Sequence, residues 1–152
     1  MSKQIYIKET EIAATVDKVF AFHELPDAFE RLIPPWEDAE IIEKADISVI
    51  GSRAVIQQKI FGLIPQTWVA EHTAYDPPHL FEDVQISGPF KSWVHRHIIE
   101  PKGEHAVLRD EITFDPGFSF LGSLMSPVLI RPKIEKMFEY RHMVTKTWCE
   151  DS

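Results

Sequence analysis

The chain has a single cysteine, Cys149, among 152 residues. No internal disulfide can form, so a disulfide-stapled scaffold is excluded and a reducing, cytoplasmic setting is expected. No stretch approaches the ~18 consecutive apolar residues of a membrane span, so stable membrane insertion is not expected. The opening MSKQIYIKET lacks the apolar core of a signal peptide. Glycine is scarce, with six residues, and none builds a phosphate-cradling loop or a G-x-S-x-G elbow. Together with the position of Cys149, this removes support for nucleophilic catalysis. Positive charge is also in deficit. Sixteen Lys and Arg stand against 24 Asp and Glu, a net charge of −8, which disfavours nucleic-acid binding and docking on anionic membranes.

What is present fits one ordinary domain over residues 1–152, large enough to bury a core without a metal or disulfide. Repeats, low-complexity segments and Gly/Ser linkers are absent. The eleven prolines fall mostly between periodic segments, as turn chemistry predicts. Residues 3–12 alternate and are rich in Ile, Tyr and Thr, predicting a strand. Thr15 is a candidate N-cap for a helix carrying Val16, Val19, Phe20 and His23 at helical spacing. Pro26 breaks it, and residues 27–33 predict a second short helix with Phe29, Leu32 and Ile33 on one side, ended by Pro34-Pro35. Residues 38–47, 53–61 and 66–75 predict three strands, the clearest being 53–61, where Ala54, Ile56 and Ile60 alternate against Arg53, Gln57 and Lys59. Gly62 to Pro65 reads as a hairpin-like connection and Asp76-Pro77-Pro78 as a turn.

Residues 81–114 are the most informative run: FEDVQISGPFKSWVHRHIIEPKGEHAVLRDEITF. At period two it gives three strands, and one face collects Asp83, Gln85, Trp93, His95, His97 and Asp110. A face that is part aromatic and part hydrogen-bonding suggests a cavity wall. In Leu108–Phe114 the set Leu108, Asp110, Ile112 and Phe114 is the more apolar and is expected inward. For residues 80–86 and 91–99 periodicity does not choose between the two faces, and a wrong choice turns the whole set to solvent. After Phe114 comes an apolar stretch interrupted by Gly and Pro, with Phe118, Phe120, Leu121, Leu124, Met125 and Leu129. A gate, a membrane-touching lip, a dimer patch or packing over the cavity end would each use it, and packing is the simplest. From about Pro132 to Trp148 the period is helical, with Ile134, Met137, Phe138, Arg141, Val144, Thr145 and Trp148 on one face and Pro132 in the first turn. The class is α+β: a strand, two short helices, six antiparallel strands and a long helix.

That order, with its local words, resembles the START-like or SRPBCC superfamily. IAATVDKVFAFHELPDAFERLIPPW is similar to the superfamily's opening strand, helix and "RL.P" segment. DPPHLFEDVQISGPFKSWVHRHII resembles a "P..F.D.q..GPF..W.H.H" segment of one bacterial branch of ligand-binding and cyclase/dehydrase-like proteins, which also occurs fused to sugar-epimerase-like enzymes. MFEYRHMVTKTW resembles that branch's last helix. The resemblance implies a helix-grip fold, in which a curved antiparallel sheet of about seven strands (β-α-α-β6-α) wraps the long C-terminal helix. Between them it implies an elongated, mostly apolar cavity. It favours Asp83, Gln85, Trp93 and His95 pointing inward, and with them Trp68 and His72 of the neighbouring strand.

These residues, with Asp110 and Arg141, are the candidate ligand-binding set. His95 and His97 share a strand face, and an aspartate could complete a metal site with them. The longer spacing of recognised zinc motifs is missing, so a polar network is expected instead, with no metal and no cofactor. His95 with Asp110 or Asp83 could also do acid–base work in a cyclase, dehydratase or aromatase. Arg141 could pair with Asp83 or Asp110, hold an acidic ligand head group, or snorkel at the cavity rim. Trp36, Trp68 and Trp93 could stack on a flat ligand, though large core and rim residues is the simpler reading. Asp17, Glu24, Asp27, Glu30 and Lys136 read as solvated helix faces. Three functions follow in order: binding or transport of a hydrophobic small molecule (lipid, quinone or polyketide-like), catalysis on such a molecule, or an accessory role through a homodimer or a fusion-type partner enzyme. The accessory role predicts an empty or tiny cavity and a co-purifying protein.

Overall fold

The computed structural model describes residues 3–60, 62–117 and 127–151, without the side chain of Ile60. Strand β1 (Gln4–Ile12) leads into helices α1 (Val16–His23) and α2 (Ala28–Leu32). Then follow β2 (Ala39–Glu43), β3 (Arg53–Ile60), β4 (Ile64–Asp76), β5 (Leu80–Ser87), β6 (Ser92–Lys102), β7 (His105–Asp115) and the long helix α3 (Pro127–Glu150). The strands form one antiparallel sheet in the order β1-β7-β6-β5-β4-β3-β2. β2 to β7 are a meander, and β1 joins the far edge beside β7. The chain therefore leaves one edge after β1 and returns at the other as β2, with α1 and α2 making the crossing. α3 packs on β1 and α1. This is the helix-grip layout.

Local chemistry explains the boundaries. The Thr15 side chain accepts a hydrogen bond from Lys18 N, capping α1 as the sequence suggests. Gly62 turns between β3 and β4 at φ 72°, where a side chain would be strained. Ile64 and Pro65 belong to β4 rather than to the connection. β2 is shorter than the expected 38–47, and its register slips between Ile41 and Glu43. β4 slips against β5 at Val69/Ala70 and again at His72/Ala74. Such bulges raise local twist and bend the sheet. The long helix begins at Pro127, not Pro132. Pro132 is tolerated inside it because its face is exposed, so water can satisfy the carbonyl its missing N–H leaves unpaired. Phe118, Phe120, Leu121, Leu124 and Met125 lie outside the described residues.

Two apolar clusters fill the space between sheet and helix. One gathers Tyr6, Phe90, Trp93, Ile112, Phe114, Ile130, Ile134 and Phe138. The other gathers Ile12, Val19, Phe20, Phe22, Phe81, Ile99, Ala106, Leu108 and Cys149. Burial pushes the Cys149 thiol up to about 11, so it is an inert packing group. Strand parity matches the favoured reading. Phe81, Trp93, His95, His97, Leu108, Asp110, Ile112 and Phe114 are all buried, while Arg96 is exposed.

Candidate functional site

Between the two clusters lies a belt of polar groups assembled by sheet register. Across β4, β5 and β6, His72 faces Asp83 and Asp83 faces His95. One step along, across β5, β6 and β7, Phe81 faces His97 and His97 faces Asp110. Directly opposed residues bring their Cβ atoms within about 5.5 Å, so these two rows must interact. α3 then lowers His142 onto Asp110.

Asp110 is the hub. Its Oδ1 accepts from His95 Nε2 at 2.6 Å, and its Oδ2 accepts from His142 Nε2 at 2.6 Å. His97 Nδ1 stands 3.1 Å from the same Oδ1. Burial works against ionisation, but the contacts with His142, His95 and His97 outweigh it, and the carboxyl is held well below its ordinary range. The second nitrogen of His142, Nδ1, shares a 2.7 Å hydrogen bond with Thr10 Oγ1.

His97 lies between two carboxylates. Its Nε2 donates to Asp83 Oδ2 at 3.0 Å while Nδ1 faces Asp110. Both ring nitrogens thus face carboxylate oxygens, which only accept when ionised, and this favours the doubly protonated ring. Burial opposes that charge, yet Asp110 and Asp83 overcome it and the pKa of His97 is raised. Asp83 is lowered in turn: burial pushes its pKa up, but the His97 bond and the neighbouring His95, His97 and His72 outweigh it. His95 behaves oppositely. Burial and the charge of His97 lower its pKa despite Asp110, leaving it neutral. With Nε2–H given to Asp110, the Nδ1 of His95 keeps its lone pair, 4.0 Å from Asp83 Oδ2. The two rings stack with centroids 3.6 Å apart, His97 stacks on Phe81 at 3.9 Å, and Phe138 meets His95 edge-on at 5.2 Å.

This belt borders a cavity of about 340 Å³ between the concave sheet face, α2 and α3. Its walls include Phe29, Leu32, Ile33, Ala54, Ile56, Trp68, Ala70, Phe90, Trp93, Ile134 and Phe138. Its polar groups include His23, His72, Asp83, His95, His97 and Arg141. The cavity is at the lower end of the roughly 300–1,000 Å³ of small-molecule sites. It is not tiny, which is one of the two outcomes expected of the accessory role.

Trp68, His72, Asp83, Trp93 and His95 thus come together on the cavity wall. Three further candidates, Gln85, Arg141 and Asp110, are placed differently. Gln85 is not a lining residue: its Nε2 donates to Phe90 O at 2.8 Å and its Oε1 accepts from Phe90 N at 3.3 Å, clamping the β5–β6 turn. That clamp needs Gly88, where a Cβ would sit 2.6 Å from Gln85 Oε1. Arg141 borders the cavity but forms no ion pair with Asp83 or Asp110, because His95, His97 and His142 already occupy those carboxylates. Burial lowers the Arg141 pKa, while Asp110, Asp83 and Glu37 oppose this through space. Asp110 lies behind His95 rather than on the cavity wall. Trp36 is exposed and packs against Tyr140 and the ammonium of Lys136, 4.3 Å from its ring.

His142 and His23 are the site residues that sequence reasoning missed. The buried stripe of α3 runs Ile130, Ile134, Phe138, His142, Thr145 and Cys149. Steps of four and three pass through His142 and leave Arg141 half-buried on the flank, so the spacing itself held the signal. His23 is buried at the end of α1, with Nδ1 donating to Val19 O at 2.9 Å. Burial, with His97 adding, pushes its pKa down to about 4.

Asp83, His95 and His97 each offer a ligand atom within 4.8 Å of the others, which makes them the metal-compatible trio among the described residues. A hydrogen bond already joins two of them, His97 Nε2 and Asp83 Oδ2. A zinc ion would have to displace the proton His97 shares with Asp83.

Comparison with known proteins agrees with the architecture. No curated protein matches the chain by sequence. Among solved structures, major latex-like protein 151 from Panax ginseng is similar with a TM-score of 0.70 and 16% identity, covering 97% of each chain. Norcoclaurine synthase from Thalictrum, solved with a transition-state analogue, gives a TM-score of 0.64 and 17% identity over 94% of each chain. StfQ, a di-domain ARO/CYC protein of the steffimycin biosynthetic pathway, gives 0.72 and 14% identity, covering 98% of this chain and 52% of its own. At such identities these likenesses speak for the fold. Residues 12–134 match the family described as "Polyketide cyclase / dehydrase and lipid transport". The chain therefore belongs to that polyketide cyclase/dehydrase and lipid-transport family, within the START-like, SRPBCC superfamily.

Proposed function

We propose that the protein binds a hydrophobic small molecule, of lipid, quinone or polyketide-like character, in the cavity between the sheet and α3. The ligand's apolar body lies against Trp68, Trp93, Phe90 and Phe138, and its polar end lies toward His95, Asp83 and Arg141. The observation that carries this reading is a mostly apolar cavity of about 340 Å³, with His72, Asp83, His95 and His97 grouped on the sheet and Arg141 facing it from α3. A neutral fluorescent probe, N-phenyl-1-naphthylamine, tests it. The expected result is saturable binding with one site per chain, lost in Ala54→Phe, with the fold of that variant checked by circular dichroism. Emission that rises without saturation, or is unchanged in Ala54→Phe, overturns the reading.

A second reading, acid–base catalysis of cyclisation or dehydration, has one specific observation behind it. His95 and His97 are stacked, with pKa values moved in opposite directions. A neutral imidazole with a free Nδ1 beside a held imidazolium can take one proton and give another. His95→Ala separates the readings. Turnover of a polyketide-like substrate lost with probe binding intact favours catalysis. Loss of binding or stability without any wild-type turnover favours carriage.

A further inference from the structure

Arg141 is the cation that the fold leaves without a contacting anion at the cavity. Its Nε is buried and has no hydrogen-bond partner among the described residues. The guanidinium carbon lies 5.3 Å from the Phe138 ring centroid and 6.0 Å from that of Phe29. Aromatic rings attract the charge but offer no lone pair to its in-plane N–H donors. The nearby carboxylates cannot turn to meet it. Asp110 is held by His95 and His142 at 2.6 Å each, and Asp83 by His97 at 3.0 Å. The second buried side-chain atom without a partner, His72 Nδ1, belongs to a residue lining the same cavity. Two unmet polar atoms at one cavity mark a ligand contact rather than a packing fault, since buried polar groups are otherwise paired.

Resting on the binding reading above, we propose that the cavity's ligand is a carboxylic acid whose carboxylate is taken by Arg141. The planar fork of guanidinium matches carboxylate geometry with two parallel bonds, and the aromatic rings beside it exclude water. The side-chain stem of Arg141 and the ring of Phe138 come from one turn of α3, so the anchor sits on a rigid element. The acids that act on Arg141 through space are Asp110, Asp83 and Glu37, and an anionic ligand binds against their repulsion.

Three probes of one shape test this at pH 7.5 by displacement of N-phenyl-1-naphthylamine: 2-naphthoate, 2-acetylnaphthalene and 2-naphthylmethanol. The wild type is expected to prefer the acid over the alcohol by about tenfold or more, the scale of a charge-assisted pair. Arg141→Met, which keeps an apolar stem, is expected to remove that preference while leaving alcohol binding in place. Arg141→Lys, which keeps the charge and loses the fork, is expected to retain part of it. Equal binding of acid and alcohol by the wild type, a preference for the ketone, or an undiminished acid preference in both variants overturns the assignment to Arg141 while the cavity reading survives. If N-phenyl-1-naphthylamine and all three naphthalenes fail to bind, both fall together. The wild-type comparison decides even if Arg141→Met does not fold.

Discussion

The two apolar clusters and the polar belt between them share the same strands and the same helix, yet they are held by different physics. On β7, Leu108 packs in one cluster, Ile112 and Phe114 pack in the other, and Asp110 sits between them, all on one face. The clusters rest on apolar area removed from water, which is non-directional and tolerates reshaping. The belt rests on matched donors and acceptors at fixed positions, where one missing partner strands a buried charge. A ligand cavity needs both: walls that do not compete for water, and a few polar atoms that cannot wander.

The largest expected effect tests whether the belt is truly bonded. Asp110→Ala should cost about 3–5 kcal/mol, because it strips buried His95 and His142 of their bonded carboxylate and leaves His97 with Asp83 alone. Leu108→Ala, two residues away, should cost about 2–5 kcal/mol through its cavity. Urea unfolding compares them. The loss in Leu108→Ala should be nearly constant from pH 5 to 8, whereas that in Asp110→Ala should vary. A small, pH-independent loss in Asp110→Ala would erase the distinction between belt and clusters.

pH divides the belt within itself. His23, at about 4, together with His72 and His95, has a folded pKa below the ordinary value of 6.5, with burial as the leading cause in each. Such groups contribute stability above pH 6.5 that is lost as pH falls toward the folded pKa, because the unfolded chain takes up the protons first. His97 is raised and acts in the reverse sense: its contribution is complete below 6.5 and is lost as pH rises through its folded value. Below pH 6.5 the contribution of His97 is constant while those of the three lowered histidines are being lost, so the unfolding midpoint should fall between pH 6.5 and 4. His23→Phe should flatten that fall, by up to about 3 kcal/mol at the acid end. A midpoint that rises on acidification would contradict the assignment of neutral buried histidines.

The smallest effect sharpens the border of the site. Gln85→Ala should cost about 1–2 kcal/mol, from two hydrogen bonds to Phe90, and leave probe affinity within about twofold. A large loss of affinity at constant stability would return Gln85 to the site.

Much of this was legible in the chain, and the gaps have physical causes. Period-two alternation marks the inner face of β7 well, because the Leu108 to Phe114 set commits a whole face, but on β5 and β6 the family resemblance made the choice. That resemblance placed Gln85 inward. It could not show that Gly88 opens room for Gln85 to fold back onto Phe90. In α3, a helical period read one residue off chose Arg141 over His142. Adjacent residues are about 100° apart on a helix, so a slight rotation exchanges a buried hub for a flanking cation.

By itself the sequence determined the order of elements, the antiparallel meander, the long closing helix and the face on which aromatic and polar residues gather. These follow from periodicity and turn chemistry, which are local. Only the tertiary structure decided who bonds to whom. Asp110 is claimed by three histidines from two elements, His97 is set between two carboxylates that raise its pKa, and Arg141 is left without an ion pair among the described residues. Those outcomes depend on strand register and on the angle at which α3 crosses the sheet, and both arise from long-range packing that no local pattern encodes.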